Sequence, residues 1–212
     1  AMAARIRKAA PTVVAGLGVA LRLAEDGSLH PEGLAPDQTL EAMVRSIEAA
    51  GLEPGRDVAI AVDVAASELK VDGVYGPSAD GPGLTGDEMI DFIANLTRRF
   101  PILSVEDPLD QDDWDLWREF TRRVSPIQVV GDDVFATNVD RIATGIQDGI
   151  ATAAILKLNQ NGTLSGTLAA LTALRDSIAK RYPNDNDAQF KAAAAWRQSH
   201  PVPIATIADV AD

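Results

Sequence analysis

Residues 102–135 read ILSVEDPLDQDDWDLWREFTRRVSPIQVVGDDVF, and they contain one strand–helix–strand unit. Ile102–Val105 is a short apolar run that ends in Glu106, and Ile127–Val130 is a second that leads into Asp132. Between them, Trp114, Trp117 and Phe120 recur at helical spacing from Asp113 to Arg123. Two such strands joined by a helix predict a βαβ crossover and parallel pairing.

The same alternation continues on both sides. Upstream, Val58–Asp63 predicts a strand. Thr85-Gly86-Asp87-Glu88 then matches a capping box, and it opens a helix carrying Met89, Ile90, Ile93 and Leu96 that Phe100-Pro101 closes. Downstream, Asn138 to Gln147 predicts a helix and Ala153–Leu156 a strand. Leu164, Leu168, Leu171, Leu174 and Ile178 predict one apolar helix stripe. Nearer the start, Gln38 to Ala50 predicts an amphipathic helix capped by Asp37 and closed by Gly51 and Pro54. Thr12–Leu21 is a further strand candidate, and the alanine-rich Ala192–Trp196 fits either a strand or a helix. A closed (β/α) barrel needs eight strands, so the expected fold is α/β, a parallel barrel that is incomplete, in one domain over residues 1–212.

Four charged residues stand where the four firmest strands end: Asp63, Glu106, Asp132 and Lys157. In a parallel barrel those ends open onto one rim, so the four converge on one pocket. Three acids brought together repel one another unless a cation sits between them. The composition narrows its identity. With no cysteine and only His30 and His200, a metal would be held by oxygen, which points to magnesium, manganese or calcium. The net charge of −12 repels phosphate backbones and argues against nucleic acid as a partner. Arg5, Arg7 and Lys8 ahead of Thr12–Leu21 imitate a secretory leader. Pro11 and Arg22 interrupt that pattern, and the run is too short to span a bilayer, so no membrane association and a cytoplasmic location are expected.

Other conspicuous residues have plainer explanations. Asp107, Asp110, Asp112 and Asp113 fit first-turn acids ahead of a helix, and Asp133 fits a cap. Trp114, Trp117 and Phe120 fit helix core rather than a binding surface.

Four segments carry a resemblance together: GLEPGRDVAIAVDVAASEL (51–69), FPILSVEDPLDQDDWDLW (100–117), IQVVGDDVFATN (127–138) and AAILKLNQNGTL (153–164). Their order and the intervals of 43, 26 and 25 residues between the four charged positions are those of the family. From about Leu34 to Leu174 the chain resembles enolase, the phosphopyruvate hydratase of glycolysis. The resemblance implies an enolase-type barrel, with Asp63, Glu106 and Asp132 as magnesium ligands and Lys157 as the base that takes the proton alpha to a carboxylate. It also implies a small anionic phosphorylated substrate, 2-phosphoglycerate, dehydrated to phosphoenolpyruvate, and a homodimer. The chemistry is coherent on its own terms. Removing that proton creates a doubly charged enediolate, which divalent cations stabilise in a dry site. A lysine beside bound cations is expected to have a lowered pKa and to act as a base near neutrality.

The chain also departs from the family pattern. The family's GDEGGFAP loop is matched by LHPEGLAP (29–36), where Pro31 takes the acid's position and Glu32 follows one place later as the candidate for that catalytic role. The phosphate-holding SHRSGE motif is reduced to Ser199-His200-Pro201, leaving His200 as the candidate substrate contact. The family's N-terminal α+β domain and the final strand with its second lysine are expected to be absent from these 212 residues. Three readings therefore stand open. The chain is an excerpt of a full enolase-type enzyme, a divergent relative acting on a phosphonate or related analogue, or a catalytically dead paralogue that binds a metal or partner.

Overall fold

The computed structural model describes residues 21–23, 29–31, 35–76 and 83–181. Glu32, His200, residues 12–20 and Ala192–Trp196 lie outside them. A short antiparallel pair, β1 (Leu21–Leu23) and β2 (Leu29–Pro31), precedes helix α1 (Pro36–Ala49). Strand β3 (Ile60–Asp63) follows, then one helical turn, α2 (Ala66–Leu69), and a hairpin of β4 (Lys70–Val71) and β5 (Val74–Tyr75). Beyond it come α3 (Gly86–Arg99), β6 (Ile102–Glu106), α4 (Trp114–Val124), β7 (Gln128–Gly131), α5 (Val139–Asp148) and β8 (Ala153–Ala154). The last described elements are α6 (Leu158–Asn161) and α7 (Leu164–Arg181).

The main sheet has four parallel strands in the order β3-β6-β7-β8. Each strand is added on the same side of the one before. A doubly wound sheet would reverse direction partway, whereas a one-way order joined by right-handed crossovers gathers the helices on one face, as in a barrel. Burial agrees with this. The register partners Val105 and Val129 are fully buried, while Ala61 and Gln128, which share the other face with Ser104, are exposed. Among the described residues the sheet does not close on itself, and β3 and β8 are its outer strands. The fold is therefore the expected α/β barrel architecture in incomplete form.

Local signals account for most element ends. Thr85 and Glu88 form the capping box of α3, and Met89, Ile90, Ile93 and Leu96 are buried beneath it. Trp117 and Phe120 are fully buried in α4. The Asn138 side chain accepts the N–H groups of Asp140 and Arg141 at the start of α5. Gly149, at φ 67°, ends that helix in the left-handed conformation.

Three expectations change. Helix α1 is capped at Ala35 rather than Asp37, because the Gln38 side chain reaches back to accept the Ala35 N–H at 3.0 Å. Strand β8 is only two residues long, although the Ile155 N–H still donates to the Gly131 carbonyl at 3.0 Å. The leucine stripe of α7 is buried only in part: Leu164, Leu168 and Leu171 are 65%, 51% and 50% exposed, while Leu174 packs against the core. The helix packs on α5 through its smaller side, where Ala170 is buried and Gly166, Ala173 and Leu174 are half-buried. No helix of the described residues is long and apolar enough to cross a membrane.

Candidate metal and base site

Asp63 and Glu106 are register partners at the ends of β3 and β6, so their Cα atoms are separated by about 4.8 Å, one strand spacing. Glu106 is in turn the partner of Val130, two residues before Asp132. The strand ends thus bring all three predicted acids to one rim of the sheet.

Asp107 was expected to be a first-turn acid, and it does something else. The chain leaves β6 with Asp107 at φ 40°, which swings its side chain towards the next strand. Its carboxylate accepts the N–H groups of Asp132 at 3.0 Å and Asp133 at 2.9 Å, while its own N–H donates to the Val130 carbonyl at 3.1 Å. Asp107 is only 4% exposed. Burial raises its carboxyl above the ordinary aspartate range, and the two N–H donors work against that shift. It fastens the end of β7 to the end of β6.

Among the described residues, Glu106, Asp107 and Asp132 each offer an oxygen within 4.8 Å of the others. Asp63 stands outside that group, with Oδ1 accepting the Ala65 N–H at 3.0 Å. It is nevertheless near enough to act on Glu106, whose carboxyl is raised by burial first and then by the negative charges of Asp63, Asp132 and Asp107. No hydrogen bond to the Glu106 carboxylate occurs among the described residues. A carboxylate crowded by like charge and lacking a donor is an arrangement that a hard cation relieves. The donor set therefore fits an oxygen-bound divalent metal. Both Asp107 oxygens are taken by backbone N–H groups and both Asp132 oxygens by side-chain donors, so Glu106 is the acid of the three whose oxygens carry no hydrogen bond among the described residues.

Asp132 is 5% exposed. Its Oδ1 accepts from Gln160 Nε2 at 2.7 Å, and its Oδ2 pairs with the Lys157 ammonium. Lys157 ends the AAIL run and is half exposed. Its pKa is raised, first by the hydrogen bond to Asp132, with Glu106 and Asp133 adding to the effect against desolvation. The expected depression depends on bound cations. With only carboxylates around it, the ammonium is held charged.

The sequence reading missed the residues that hold the loop between Glu106 and α4. Tyr75, fully buried, accepts the Asp110 N–H at 2.9 Å and donates to Asp113. Lys70 Nζ lies 2.7 Å from both oxygens of Asp113. From the other side, Arg141 donates to the Val134 carbonyl at 2.6 Å and to Gln111, with its guanidinium 5.4 Å from the centre of the Trp114 ring. A signal for the hairpin was present: Val-Asp-Gly-Val, whose Asp72 and Gly73 take φ values of 50° and 83°, as a type I′ turn requires.

Two of the matches to known proteins bear on the family. A family model described as "Enolase, C-terminal TIM barrel domain" matches residues 12–182. An "Enolase" from Mycobacterium leprae (strain TN) is 41% identical over 169 residues, which cover 79% of this chain and 39% of that protein. The chain thus spans about two-fifths of the length of the curated relative it matches.

Proposed function

The chain belongs to the enolase family, through that family's C-terminal TIM barrel domain, and from this premise we propose that it forms the barrel part of a magnesium-dependent lyase that dehydrates 2-phosphoglycerate to phosphoenolpyruvate. The observation that supports the reading is the Lys157–Asp132 pair beside Glu106, an amine next to ligand-type oxygens on one rim.

In this proposal Glu106 and Asp132, with Asp63 on the neighbouring strand, hold magnesium, which when bound offsets the negative charge that builds on the substrate carboxylate. Lys157 Nζ takes the proton alpha to that carboxylate. To do so it must first part from Asp132 and release its own proton to solvent, so the ion pair seen here is the resting arrangement. Asp107 and Gln160 keep Asp132 in place through this exchange. Glu32 as the acid that helps expel the hydroxyl and His200 as a substrate contact rest on the resemblance alone. A homodimer and a cytoplasmic location belong to the same proposal.

The direct test is exchange of the alpha proton of 2-phosphoglycerate in deuterated water with magnesium present. It requires only the base and the metal site. Exchange is expected with the native chain and should fall by about 10²–10³ or more in Lys157→Ala, comparable to the loss of one charge-stabilising group. Exchange that persists unchanged in Lys157→Ala would show that the proton goes elsewhere.

A further inference from the structure

Ala136 and Thr137 both take positive φ, 44° and 51°, in the turn that follows β7. A β-branched residue is rarely found there, because its substituents crowd the backbone. Such residues persist where the surroundings hold them, and they cluster at functional sites. Thr137 is also fully buried. Its hydroxyl donates to Gln160 Oε1 at 2.7 Å and accepts the main-chain N–H of Lys157 at 2.8 Å. Its carbonyl accepts from Asn161 Nδ2 at 3.1 Å. With its oxygen on Thr137, the Gln160 amide points Nε2 at Asp132 Oδ1, 2.7 Å away. The other oxygen of Asp132 meets Lys157 Nζ. One hydroxyl therefore reaches both halves of the ion pair, the root of Lys157 directly and the carboxylate of Asp132 through Gln160.

We propose that Thr137 is a positioning residue for the base. Its buried hydroxyl fixes the main chain at Lys157 and, through Gln160, the rotation of the Asp132 carboxylate, so that Nζ meets one defined oxygen. A hydroxyl with its proton donated and a lone pair engaged has no freedom left to rotate, and the amide it orients has only one way round. The functional meaning of this role rests on the reading of Lys157 and Asp132 as base and ligand. The geometry itself is testable without metal or substrate.

The test uses the full chain in chelator, with nitrogen-15 in the lysine side chains. Lys157→Arg identifies the Lys157 Nζ resonance. Thr137→Val keeps the shape and the β-branching while deleting the hydroxyl. In that variant the Lys157 main-chain amide should exchange about tenfold faster, the effect of one lost hydrogen bond. The Nζ resonance should move towards that of solvated lysines, and Thr137→Ser should restore both. A residue with only a structural role would lower the melting temperature and leave the Nζ resonance in place. Gln160→Met cuts the arm to Asp132 without touching the strained turn. It should shift Nζ while leaving the Lys157 amide protected. An unchanged Nζ resonance in folded Thr137→Val overturns the proposal, and so does an unchanged one in Gln160→Met if Thr137→Val fails to fold. Failure of the catalytic reading looks different, since proton exchange would then persist in Lys157→Ala whatever the Nζ resonance does.

Discussion

At Glu106 the requirements of folding and of ligand binding oppose each other. Burial and three neighbouring acids raise its carboxyl, so the ionised form costs the folded state stability. That cost grows as pH rises from the ordinary carboxylate range through the raised value. In chelator at pH 7, Glu106→Gln should therefore melt higher than the native chain. Magnesium should raise the native melting temperature and raise that of Glu106→Gln much less, because a ligand stabilises only in proportion to its binding. Melting curves with and without chelator decide this, and a lower melting temperature for Glu106→Gln in chelator would contradict it. Asp107 should behave oppositely. Asp107→Asn replaces one acceptor oxygen by a donor facing a buried N–H, and it should cost about 1–3 kcal/mol of stability in urea melts. The adjacent acids Glu106 and Asp107 show where the sequence was legible and where it was not. That an acid ends this strand was readable from the apolar run before it. Which of the two faces the rim and which folds across to the next strand depends on the positive φ at Asp107 and on backbone donors of β7, and neither is visible in the local sequence.

Among the elements, the parts with local causes were legible and those settled by a partner were not. The capping box at Thr85 and the cap at Asn138 are satisfied within one turn, so the residues alone predict them. Helix α7 has apolar residues on two sides, and only its packing on α5 selects the small-residue side. The β4–β5 hairpin gives the elements their own pH response. Burial raises the Tyr75 hydroxyl above its ordinary value of 10.0, and Asp113 raises Lys70 above 10.5. An unfolded tyrosine ionises near 10.0 while buried Tyr75 keeps its proton, so stability falls as pH climbs past that value. Raised Lys70 contributes stability that is complete below 10.5 and is lost as pH rises through its folded value. Unfolding followed by circular dichroism should therefore set in above about pH 10. Tyr75→Phe, which leaves the Asp110 N–H without its acceptor, should cost about 1–3 kcal/mol at pH 7 and flatten the alkaline fall. An equally steep alkaline fall in Tyr75→Phe would assign it to other groups.

For the whole molecule, the outer strands β3 and β8 have no further partner among the described residues, and Leu103, Leu164 and Leu168 are exposed. Strand edges and apolar patches of this kind favour association. Sedimentation should accordingly show a homodimer at micromolar concentration, and a profile of monomer alone would overturn that expectation. The one-way order of the sheet also bears on how the chain is made. Strands β3, β6, β7 and β8 are neighbours in space in the sequence order in which a ribosome delivers them. Among these four, each strand after β3 finds its pairing partner already synthesised. Assembly can then proceed vectorially, one strand at a time, each new strand covering the free edge of the one before it.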